Sequence, residues 1–142
     1  MPRIARKTVV VVASVLGVLV ILFSRSMICH LFPTYAFRQI TGRPLPSGVL
    51  ISAYASEMND ALFHTTHYWM LSGSPSALRQ IVTGTEFRDS LDDARYSIPD
   101  LQKLFGDPRS STEVVAGYED DHSGRNRWYC IFTGETNALY AH

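Results

Sequence analysis

The hydrophobic pattern divides the chain in two. From Thr8 to Ser24 there are 17 residues without a charge, mostly Val, Leu and Ile. As a helix this stretch spans roughly 26 Å, close to the about 30 Å of a hydrocarbon core. Arg25 can snorkel to the headgroups, and Met27, Ile28, Leu31 and Phe32 continue the helix or lie in the interface. The pattern predicts a transmembrane helix over 8–28, followed by a domain over 33–142. A buried helix of a soluble domain would show a polar face, and this stretch has none.

Beyond it the periodicity shortens and mixes. Pro33 to Gly42 reads as a short helix, with Phe37 and Ile40 on one side and Gly42 able to stop it in the left-handed conformation. Arg43-Pro44-Leu45-Pro46 must then be extended. Gly48 to Glu57 reads as a first strand, and Asn59-Asp60 as a turn. Leu62 to Leu71 is aromatic and β-branched, and both of its faces are substantially apolar, which predicts an interior strand covered on both sides. Ser74-Pro75 opens a helix carrying Leu78, Ile81 and Val82, ended by Gly84. A further helix follows from about Ile98, with Ser97 and Asp100 as a capping-box variant, Leu101, Leu104 and Phe105 inward, and Gly106 and Pro108 as the stop. Glu86 to Tyr96 is ambiguous between helix and loop.

Thr112 to Tyr118, Arg127 to Thr133 and Asn137 to Ala141 read as strands. A polar loop, Glu119 to Asn126, joins the first two, and Thr133-Gly134-Glu135-Thr136 turns the chain into the last. Tyr140 lies so near the end that short C-terminal truncations should harm folding. The element order predicts an α+β domain, a small, largely antiparallel sheet with helices packed on one face.

Charge adds direction to this layout. The chain is formally neutral, but Arg3, Arg6, Lys7 and Arg25 surround the apolar stretch, and every acidic residue lies beyond position 56. Segment 33–142 holds nine basic and 13 acidic residues, a net charge of −4. Such a domain has no electrostatic footprint for nucleic acid. The positive-inside rule keeps residues 1–7 in the cytoplasm and places the domain outside, at the cell membrane. A cleaved secretory signal with a cut after Ser26 is the rival reading, giving a secreted or periplasmic domain. The long apolar stretch and Arg25 between two serines weigh against it. Ser26-Met27-Ile28-Cys29 lacks the small residue that precedes a lipidated cysteine.

Candidate chemistry is sparse. His64 and His67, three apart on a strand, point to opposite faces and cannot share an ion. Glu119-Asp120-Asp121-His122 is the densest polar cluster, but it lacks calcium-loop spacing, and Arg125 and Arg127 beside it can neutralise the carboxylates. A charged hairpin loop accounts for it. His64, His67, Asp121 and His122 are the residues that a small hydrolase or ligand-binding domain would have to bring together. Cys29 and Cys130, the two cysteines, could form a bridge in an oxidising compartment; the alternatives are an interfacial Cys29 and a core Cys130 thiol. No nucleophile elbow, phosphate loop or dinucleotide fingerprint occurs, and no cofactor or metal is implied.

Phe37-Arg38-Gln39-Ile40-Thr41-Gly42-Arg43-Pro44-Leu45-Pro46 resembles the opening of small bacterial exported or membrane-anchored proteins. In those, a Phe-x-x-x-Thr-Gly segment and a proline follow an N-terminal membrane segment and precede a compact α+β domain. The resemblance implies that layout and assigns no activity or site. Together these features favour a membrane-tethered interaction or accessory domain without catalysis. An envelope protein is its expected partner besides the bilayer, and an envelope immunity-type inhibitor is a further alternative.

Overall fold

The computed structural model describes residues 3–58, 65–120 and 127–142; for residues 3–8, 19, 22, 23, 25 and 26 it describes the backbone alone. The chain divides into two compact units, Met1–Phe32 and Pro33–His142. In the first, α1 (Arg3–Leu31) runs unbroken for 29 residues, and its described valines and leucines, Val9 to Val12 and Leu16 among them, are exposed. Among the described residues no helix is long and apolar enough to cross a membrane. The span over 8–28 therefore rests on the sequence.

The second unit is α+β, with one six-stranded antiparallel sheet. A short helix, α2 (Pro33–Thr41), precedes the hairpin β1 (Leu50–Met58) and β2 (Thr65–Ser72). Three short helical and strand pieces follow: α3 (Pro75–Arg79), β3 (Arg88–Asp89) and α4 (Leu91–Ser97). The unit ends with α5 (Leu101–Phe105) and strands β4 (Val114–Asp120), β5 (Arg127–Phe132) and β6 (Asn137–Ala141). The spatial order is β1-β2-β6-β5-β4-β3, so the last strand lies at the centre, antiparallel to β2 on one side and β5 on the other.

Local chemistry sets most of the element ends. Gly42 stops α2 at φ 73°, its N–H donating to the Arg38 carbonyl at 3.0 Å. Ser74 caps α3 by accepting from the Ala77 N–H, with Pro75 in the first turn. Asp100 alone caps α5, accepting from the Lys103 N–H at 3.0 Å, and Gly106 ends that helix at φ 68°. The capping role expected of Ser97 does not arise, because Ser97 is the last residue of α4.

Helices cover both faces of the sheet, which corrects the expectation of helices on one face. On one side Phe37 of α2 and Ala77, Leu78 and Ile81 of the α3 region pack against Trp69, Leu71, Tyr129, Ile131, Ala138 and Tyr140. On the other, Ala94 of α4 and Leu101 of α5 pack against Tyr68, Met70, Trp128, Cys130, Phe132, Leu139 and Ala141. The reason is in the strands: alternate residues of β2, β5 and β6 are apolar on both faces, and leaving either face in water would expose several large side chains. The ambiguous stretch Glu86 to Tyr96 contains the short edge strand β3 and the helix α4.

The contact of α4 with the sheet depends on Gly117 of β4. A Cβ there would meet Ala94 Cβ at 2.4 Å and Leu91 Cα at 2.9 Å. Gly117→Ala is expected to destabilise the fold by about 1–3 kcal/mol. Chemical denaturation of the two proteins checks this; equal midpoints would show that α4 shifts at no cost.

Candidate functional site

A partly open recess lies on the sheet face that carries α2. It holds about 190 Å³ and is lined by α2, the extended segment after it, the turns after α3, and the ends of β4, β5 and β6. Phe37 places one apolar wall. Its ring meets Trp69 edge-on at 5.3 Å and Tyr140 at 5.1 Å. Pro44 and Pro46 form a second wall, held extended by their own rings. Ile81, Thr85 and Phe87 close the opposite side, Phe87 meeting Tyr140 at 6.0 Å. The segment Phe37 to Pro46 thus supplies five lining residues: Phe37, Thr41, Arg43, Pro44 and Pro46.

The charged part of the recess is the pair Asp120–Arg127. These residues face one another in the β4–β5 register, which puts both side chains on one face at the end of the hairpin. Arg127 Nη2 donates to Asp120 Oδ2, and the guanidinium lies 5.9 Å from the Phe87 ring centre. The Asp120 side chain is 1% exposed and that of Arg127 15%. Separating two charges this buried costs more than the pairing contributes, because the survivor is stranded away from water. Tyr140 lies beside them. Burial raises its phenol pKa, while Arg127 and Arg43 pull it down, so it remains a neutral hydroxyl at ordinary pH.

The threonine hydroxyls of the walls serve the backbone. Thr41 Oγ1 donates to the Phe37 carbonyl at 2.7 Å and accepts from the Arg43 N–H at 3.2 Å. Thr85 Oγ1 donates to the Val82 carbonyl at 2.6 Å and accepts from the Phe87 N–H at 3.3 Å. By contrast Arg127 Nε is buried without a hydrogen-bond partner among the described residues. Arg43 is exposed and forms no ion pair among them.

Of the residues singled out from the sequence, His67 is described and is elsewhere. It sits on β2, stacked between Tyr54 and Trp69, with Nδ1 sharing a 2.7 Å hydrogen bond with the Tyr54 hydroxyl. It does not line the recess. His64, Asp121 and His122 lie outside the described residues. The polar cluster that drew attention to Asp121 and His122 does reach the recess through Asp120, and Arg127 neutralises that carboxylate as its position beside the cluster suggested. Arg43 and Tyr140 carried no such signal, being distant in sequence. Among the described residues no group of three or more His, Cys, Asp or Glu side chains could hold a metal ion.

On the opposite sheet face a more open cleft of about 570 Å³ runs past Arg95 and Arg109. Both arginines have structural partners there. Arg95 Nη2 donates to the Val114 carbonyl at 2.9 Å. Arg109 forks onto Asp107 through Nε at 2.9 and 3.0 Å and lies 4.6 Å from the Phe132 ring centre. Arg109 also holds the Asp107 carboxyl below its ordinary pKa. Cys29 and Cys130 are both free thiols. Burial pushes the Cys130 thiol up to about 12, which keeps it protonated and a poor nucleophile.

No family model, no curated protein and no solved structure matches this chain.

Two outcomes follow from the buried groups. Asp120→Ala should cost about 3–5 kcal/mol by stranding Arg127, whereas the neutral, near-isosteric Asp120→Asn/Arg127→Gln protein should recover most of the loss. Thermal unfolding of the three proteins separates these cases, and a single variant as stable as the parent would mean that water already solvates the pair. In a Cys29→Ala background, Cys130 should resist iodoacetamide at about pH 8 in the native protein and react readily once denatured. Mass spectrometry reads the label, and rapid native labelling would contradict the burial of the thiol.

Proposed function

We propose that this chain is a single-pass membrane protein whose domain over 33–142 lies on the extracytoplasmic side and acts by binding, without catalysis. The recess carries the binding reading. It combines an apolar, aromatic wall with a few converging polar groups, which is the usual constitution of a small-molecule site. Its carboxylate is paired with an arginine and its threonine hydroxyls with the backbone, so none of them stands as a nucleophile beside a base. His67, engaged with Tyr54 and away from the recess, lends no support to a hydrolase.

The tether is supported by the sequence. The uncharged stretch Thr8 to Ser24 lies within α1, and the positions there without described side chains are Thr8, Leu19, Leu22 and Phe23, apolar except for Thr8. Residues 8–28 then sit in the bilayer, residues 1–7 stay with the positive charges in the cytoplasm, and the domain faces the envelope. An accessory role there, beside an envelope protein or on a small ligand, fits a domain held at one surface.

Fractionation tests the arrangement. The full chain should stay with membranes through alkaline carbonate extraction, and protease added to cells with a permeabilised outer layer should remove the domain while sparing the anchor. Release by carbonate, or a domain protected until the inner membrane is broken, would overturn the proposal. A mature N-terminus near Met27 would replace the anchor with a cleaved signal and leave the domain outside.

A further inference from the structure

We propose that the recess beside Asp120 and Arg127 takes a small organic monocarboxylate with an apolar, ring-sized body; this rests on the binding reading and names its ligand. Size comes first. An apolar cavity of about 150 Å³ accepts benzene, so 190 Å³ admits a ring with one small substituent. The body of such a ligand meets Phe37, Phe87, Ile81 and Pro44.

The sign of the head group follows from hydrogen-bond bookkeeping. The hydroxyl hydrogens of Thr41 and Thr85 are spent on carbonyls, and their oxygens already accept backbone N–H groups. Asp120 is engaged by Arg127. The capacity that is left among the described residues is chiefly donor capacity: the Arg43 guanidinium and the neutral Tyr140 hydroxyl. Among the described charged residues lining the recess, two arginines face one aspartate, so this described lining carries a net charge of +1 in a domain whose total is −4. A carboxylate balances that charge, and the planar Arg43 fork matches its two oxygens. A cation is repelled, and a neutral ring leaves the Arg43 charge uncompensated.

Calorimetry on the full chain in detergent, with benzoate, benzyl alcohol and benzylamine as probes, tests this. Benzoate should bind at least about tenfold more tightly than either of the others. Arg43→Gln, an exposed change that should leave folding intact, should weaken benzoate about fivefold and leave benzyl alcohol unaffected. Asp120→Asn/Arg127→Gln leaves the net charge of the described lining unchanged and should keep the preference between the two. Benzyl alcohol or benzylamine binding as well as benzoate would overturn the carboxylate and leave a binding site of another class. Failure of all three probes to bind would overturn both the ligand class and the binding role of the recess.

Discussion

Strands β2, β5 and β6 carry large apolar side chains on both faces, and neither face can be left to water. That constraint organises the domain. Trp69, Leu71, Tyr129 and Ile131 require one cover, and Tyr68, Met70, Cys130 and Phe132 require another. The helices available are short, from five to nine residues, and could not form alone. They exist because each supplies one or two side chains to a face that would otherwise be wet. Tyr129 shows how tightly the layers are joined: its buried hydroxyl donates to the Leu78 carbonyl at 3.1 Å, fastening the sheet to the end of α3.

The recess is a by-product of the same economy. Helix α2 covers its face with Phe37 and then stops at Gly42, and the extended segment after it packs Leu45 against the same core while its prolines line the recess. Where β4 and β5 end, the facing residues are no longer apolar but Asp120 and Arg127. An incomplete cover over a charged end of the sheet leaves a pocket that is greasy on three sides and ionic on the fourth.

What could be read from the sequence was what neighbouring residues decide. Gly42, Pro44, the Ser74-Pro75 cap and the stop at Gly106 are local chemistry, and they stand where the chain order put them. The two apolar faces of β2 were visible in Leu62 to Leu71, yet the order of elements does not say which face each helix takes. Helix α4 was hidden by its charges; its packing residue is Ala94, and the space for it is made by Gly117, twenty-three positions later. The recess was hidden for the same reason. Phe37, Arg43, Asp120 and Tyr140 meet only because the sheet order brings the two ends of the domain together. Asp120 and Arg127 stood out as a charge cluster, but a surface loop was the simpler account until their burial was known.

The central place of β6 bears on how the protein is made. Strand β6 fills the gap between β2 and β5, so the middle of the sheet cannot form until β6 has been made. Synthesis presents β2 and β5, the two strands that β6 joins, before β6 itself. The sheet closes only once β6 is available to pair with both of its neighbours.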